Sequence, residues 1–187
     1  MLRNTLFLLG FLLVIVPSSL TAERGVDTTE LDLASTTRVD GAITVEAVGA
    51  KALRSRTNYQ LAIAVTHSGS PAERLLVVDY HLVDKTGVIV GGGTLEQTVV
   101  LGAFDEQEVI LDLAHGDLEP ATAIRVDSLD LADESSRSGG TCAAFCDRCA
   151  SIAGSLCTSG IANFDCQCSD DSGTTSNKCI IQCAINN

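Results

Sequence analysis

All eight cysteines of this 187-residue chain lie between Cys142 and Cys183, and none lies in the first 141 residues. The stretch from Thr141 to Asn187 is too short to bury a self-sufficient hydrophobic core. It needs covalent staples, each contributing about 2–4 kcal/mol. The distribution therefore divides the chain into a cysteine-free body and a cysteine-dense tail over residues 141–187. Between them runs Asp133-Glu134-Ser135-Ser136-Arg137-Ser138-Gly139-Gly140, which is polar and rich in Gly and Ser. Residues 133–140 read as a flexible linker.

Cysteines so concentrated imply disulfides, and disulfides imply an oxidising compartment. The N-terminus agrees. Arg3 precedes an apolar run of 11 residues, Leu6 to Val16, and Pro17-Ser18-Ser19-Leu20-Thr21-Ala22 follows. A membrane-spanning helix needs roughly 20 residues, so residues 1–22 read as a secretory signal peptide rather than an anchor. The expected location is secreted or periplasmic, with no membrane insertion after cleavage. The formal charge is -12, which argues against nucleic acid and anionic lipid surfaces as partners.

After a polar, Thr-rich segment over 23–37, read as a loose lead-in, residues 38–132 alternate with a period of two. Ile43 to Ala47 and Tyr59 to Val65 are strand candidates, the second placing Leu61, Ile63 and Val65 on one face. Leu75 to Asp84, a tight turn at Lys85-Thr86-Gly87, and Val88 to Val90 follow. Gly91-Gly92-Gly93 is expected to break that strand at a bulge or sheet corner. Thr98 to Leu101, Glu108 to Leu113 and the Ile124–Val126 segment complete six or seven strands, the pattern of a small Ig-like β-sandwich.

Within this body, Thr66-His67-Ser68-Gly69-Ser70-Pro71, then Tyr80-His81-Leu82-Val83-Asp84 through Val90, and an acidic turn before Val109-Ile110-Leu111 resemble the FxLYD-type domain. Val83 stands where that signature has Tyr. The resemblance spans about Ile43 to Leu113. It implies an Ig-like sandwich serving as a surface or periplasmic interaction module, with no catalytic residues.

In the tail, Thr141 can cap a helix from Cys142 to Cys157. At 100° per residue Cys142, Cys146, Cys149 and Cys157 fall within one stripe of about 80°. Thr158-Ser159-Gly160 ends the helix. Cys166 and Cys168 share one strand face, as do Cys179 and Cys183, on two strands joined by a loop from Ser169 to Asn177. Four helix sulfurs can thus meet four hairpin sulfurs, which leaves 24 of the 105 conceivable pairings open. The Cys142-x3-Cys146 and Cys166-x-Cys168 pairs resemble, in architecture alone, the cysteine-stabilised αβ fold of defensins and related toxins. That family has its Cys-x-Cys on the final strand, whereas here Cys179-x3-Cys183 follows it.

Other chemistries are weaker readings. Cys142-x3-Cys146-x2-Cys149 has iron–sulfur spacing, and eight thiols could hold zinc, but export favours disulfides over both. Cys146-Asp147-Arg148-Cys149 is a Cys-x-x-Cys with competing partners on every side. Asp79 and His81 share a strand face, a geometry open to a metal or acid–base pair. His67 and His115 complete the histidines. Asp105-Glu106 and Asp170-Asp171 read as solvated turns rather than calcium ligands.

The sequence thus predicts a mainly β protein. It is a small Ig-like sandwich followed by a disulfide-rich helix-plus-hairpin mini-domain, without cofactor or catalytic set. The expected role is binding to another protein or surface ligand. A secreted defensin-like effector with a carrier domain, and a thiol–disulfide oxidoreductase, are the alternatives. Mass analysis of the exported protein should find its N-terminus within a few residues of Ala22; retention of Met1 would refute the leader.

Overall fold

The computed structural model describes residues 28–34, 36–53, 58–114, 120–133, 142–171 and 174–184. The expected leader, Thr141, His115 and linker residues 134–140 lie outside them. In chain order the elements are β1 (Thr29–Glu30), β2 (Asp32–Ala34), β3 (Thr37–Asp40), β4 (Ile43–Ala52), β5 (Asn58–His67), β6 (Ala72–Val83), β7 (Ile89–Leu101), β8 (Asp105–Ala114), β9 (Ala123–Asp133), α1 (Cys142–Leu156), β10 (Ile161–Asp171) and β11 (Thr174–Cys183).

The strands form two sheets. In the first, β4 pairs on one edge with β1 and β3 and on the other with β5, which pairs with β8. The second runs β10-β11-β7-β6-β9-β2. Alternation supplies the layer between them. Tyr59, Leu61, Ile63 and Val65 of β5 face Leu76, Val78, Tyr80 and Leu82 of β6 across one core, which Val109, Leu111, Ile124 and Leu131 extend. Two tyrosines are fully enclosed there. The Tyr59 hydroxyl accepts a bond from the Ala121 N–H at 3.1 Å. Burial pushes the Tyr80 phenol far above its usual pKa. A mainly β sandwich followed by a disulfide-rich helix and hairpin is the class expected from the sequence.

The turn at Lys85-Thr86-Gly87 is built as its residues suggest. Gly87 takes a φ of 84°. The Asp84 carboxylate accepts bonds from the Thr86 hydroxyl, the Thr86 N–H and the Val88 N–H, at 2.7, 2.7 and 2.9 Å. Those bonds, the Thr86 hydroxyl first, hold its pKa below the usual carboxylate range.

Four expectations need correction. The lead-in over 23–37 is in part strand: β2 pairs in parallel with β9, and Leu31 and Leu33 pack against the core, so short apolar anchors order it. The loop over Ser169–Asn177 is mostly ladder, with Cys168 opposite Asn177 and Ser169 opposite Ser176, because backbone pairing runs on past the last staple. Gly91-Gly92-Gly93 does not break its strand; β7 runs through it. A register shift does lie beside it, where Val83 pairs with Ile89 and Leu82 with Gly91. Finally, the tail does not stand apart from the body. Strand β11 pairs with β7 from Ser176–Gln97 to Gln182–Gly91, so hairpin and sandwich share one sheet.

The glycines explain that junction. A Cβ on Gly93 would sit 1.9 Å from the Cys179 carbonyl oxygen. One on Gly92 would sit 2.6 Å from the Tyr80 carbonyl oxygen and 2.7 Å from Leu156 of α1. The run is bare backbone onto which the tail closes. At Gly154, in contrast, a Cβ would meet nothing within 4 Å. Gly93→Ala should therefore destabilise the oxidised protein by about 3 kcal/mol through overpacking, while Gly154→Ala should stabilise it by about 0.5–1 kcal/mol through helix propensity. Chemical denaturation of both variants checks the pair of signs.

Candidate functional site

Helix α1 lies on the outer face of the larger sheet, the side away from the sandwich core. Its stripe buries Phe145, Cys149 and Ala153. With Cys157 these pack on Cys179, Ile181 and Cys183 of β11 as a second, smaller core. All eight cysteines are bonded, each helix sulfur to a hairpin sulfur: Cys142–Cys168, Cys146–Cys166, Cys149–Cys179 and Cys157–Cys183. Their Cα separations of 5.7, 5.7, 5.7 and 5.1 Å are ordinary for disulfides. The Cys-x-x-Cys is not closed on itself, since Cys146 and Cys149 reach different strands.

The staples fall into two environments. Cys149–Cys179 and Cys157–Cys183 are buried. Cys142 is exposed, and Cys146, Cys166 and Cys168 are half-buried. The two outer bonds crowd together. The Sγ atoms of Cys146 and Cys168, which belong to different disulfides, are 3.8 Å apart. Those of Cys142, Cys146 and Cys168 all lie within 4.8 Å of one another.

Beside the inner staples is a polar cluster that sequence reasoning did not find. Glu96 of β7 is buried, and its carboxylate accepts bonds from the Arg148 guanidinium of α1 and, at 2.9 Å, from the Asn177 amide of β11. The Arg148 guanidinium also lies 5.5 Å from the centroid of the Phe145 ring. The cluster joins body, helix and hairpin through one carboxylate. Its faint signal in the sequence is that Arg148 and Lys178 are the tail's two basic residues.

The residues weighed for acid–base or metal chemistry go to separate partners. Asp79 accepts the Thr94 and Ser128 hydroxyls, both at 2.6 Å. His81 instead pairs through Nδ1 with Asp127 at 2.8 Å. The His67 Nδ1–H donates to the Gly102 carbonyl at 2.7 Å. Asp105 accepts the Gly102 N–H at 3.0 Å and so closes its turn. Asp170 and Asp171 are the last two residues of β10. A cleft of about 500 Å³ lies elsewhere, among Leu31, Ala52, Lys85, Pro120 and Thr122.

What the site offers to solvent is β10. It is the last strand of its sheet, 11 residues long, paired with β11 on one side. From Ile161 to Asp165 every residue is exposed, and Ile161 and Phe164 are 47% and 38% exposed. Comparison of the chain with family models, with curated proteins and with solved structures found no match. No helix among the described residues is long and apolar enough to cross a membrane.

Removing Arg148 would leave Glu96 buried with one neutral partner. Arg148→Ala should cost about 1–3 kcal/mol. Adding Glu96→Gln should recover part of that loss, which a double-variant denaturation cycle reads directly.

Proposed function

We propose that this is an exported, non-enzymatic binding protein whose recognition head is the disulfide-braced hairpin, with β10 as its contact edge. The observation that carries the reading is the long, exposed edge strand held rigid by two staples to α1. An edge strand presents unpaired backbone groups to an extended partner, and its alternate side chains supply the specificity. Ile161 and Phe164 are the apolar anchors, and pre-ordering by disulfides lowers the entropy cost of contact. Four disulfides fit an oxidising, extracytoplasmic compartment. The resemblance of residues 43–113 to the FxLYD-type interaction module supports the sandwich as the platform for this head.

The partner is best sought among proteins. From Thr141 onward the tail carries four Asp against Arg148 and Lys178, a charge that disfavours the anionic lipid targets of a lytic peptide. A photo-crosslinking residue in place of Phe164 should capture one discrete protein from the native extracytoplasmic fraction, and the same residue in place of Thr86, in a turn of the sandwich, should not. The oxidised protein should neither release dye from anionic vesicles nor accelerate insulin reduction. Dye release would establish the effector alternative instead, and insulin reduction the oxidoreductase.

A further inference from the structure

The outer staples bring three sulfurs together and hold a fourth through its bond to one of them. Cys142 and Cys146 are one helical turn apart on α1, and Cys166 and Cys168 share a face of β10. The Sγ atoms of Cys142, Cys146 and Cys168 lie within 4.8 Å of one another, and the fourth sulfur, that of Cys166, is bonded to Cys146. Four thiolates around one tetrahedral zinc ion, with Zn–S near 2.3 Å, stand about 3.8 Å apart. The Cys146 and Cys168 sulfurs already show that spacing, 3.8 Å, across two different disulfides.

The inner staples make this arrangement usable. Cys149–Cys179 and Cys157–Cys183 are buried within the small core, whereas the outer four cysteines meet solvent. A reductant therefore reaches the outer pair first. The inner pair ties α1 to β11, which carries β10 in its ladder, so the helix cysteines and the β10 cysteines stay on facing elements when the outer bonds open.

We propose that the outer half of the staple array, once reduced, is a tetrathiolate site for a thiophilic divalent cation such as Zn²⁺, formed by Cys142, Cys146, Cys166 and Cys168. The tail then has two closed states, one held by disulfides and one by metal. In the reducing step two molecules of a dithiol each close to a cyclic disulfide, and each passes two electrons and two protons to one cystine. Four thiols result. Binding of the cation then releases four protons as the four sulfur–metal bonds form.

The test uses the full oxidised chain. Limiting dithiol followed by alkylation and peptide mapping should label Cys142, Cys146, Cys166 and Cys168 while both inner disulfides survive. After anaerobic removal of the reductant, this species should take up one Zn²⁺ per chain in competition with a chromophoric chelator. With Co²⁺ it should give the absorption of a tetrahedral thiolate complex. The untreated protein should bind neither ion. Cys142→Ser with Cys168→Ser, which keeps three staples for folding, should lose at least about 100-fold in affinity after the same reduction. The proposal fails if the inner disulfides open as early as the outer ones. It also fails if the selectively reduced protein takes up less than one ion per chain, or if the double variant binds as tightly as the parent.

Discussion

The approach of two backbones at Gly92 and Gly93 is the constraint on which the rest of the molecule depends. No side chain fits there, because the Cys179 carbonyl and Leu156 occupy the space a Cβ would need. The bare backbone lets β11 complete the ladder with β7, and the ladder fixes where α1 lies. The disulfides then act on an arrangement that main-chain hydrogen bonds have already placed. Each bond closes a loop of 20 to 30 residues, so reduction enlarges the unfolded ensemble and leaves the native contacts themselves in place.

The polar cluster at Glu96 gives this junction its register. A buried carboxylate is costly unless its partners are present, and here they come from two elements distant in sequence, Arg148 and Asn177. Sliding β11 along β7 by two residues would move Asn177 out of reach of Glu96 and leave the carboxylate with fewer partners. The pairing therefore selects one alignment among those the hydrogen-bond ladder would tolerate.

The periodic features were legible in the chain. Alternation at Leu61, Ile63 and Val65 identified the core face, and the 100° rotation of Cys142, Cys146, Cys149 and Cys157 aligned one sulfur stripe. Both are local, so a window of ten or fifteen residues contains them. The connectivity of the staples was not legible, because which strand sulfur faces which helix turn depends on the tilt of α1 over the hairpin. The junction with β7 was missed for a related reason. A glycine run signals either a bend or a backbone neighbour, and the neighbour here lies more than 80 residues away. The Glu96–Arg148 pair is likewise a product of that junction and has no spacing rule of its own. Asp79 and His81 were correctly placed on one face, yet the partners that engage them, Thr94, Ser128 and Asp127, come from neighbouring strands.

The strand that covers β7 follows all nine strands β1 to β9 in chain order. In a chain emerging from its N-terminus, β7 exists before β11, so for that interval its outer edge has not yet met the strand that covers it. A long uncovered edge invites pairing with other chains. Three consecutive glycines, which contribute neither strand propensity nor apolar side chains, make the exposed edge a poor template. The residues that seat the tail in the finished molecule thus also guard the unfinished one, and the safeguard ends when the cysteines lock the cover in place.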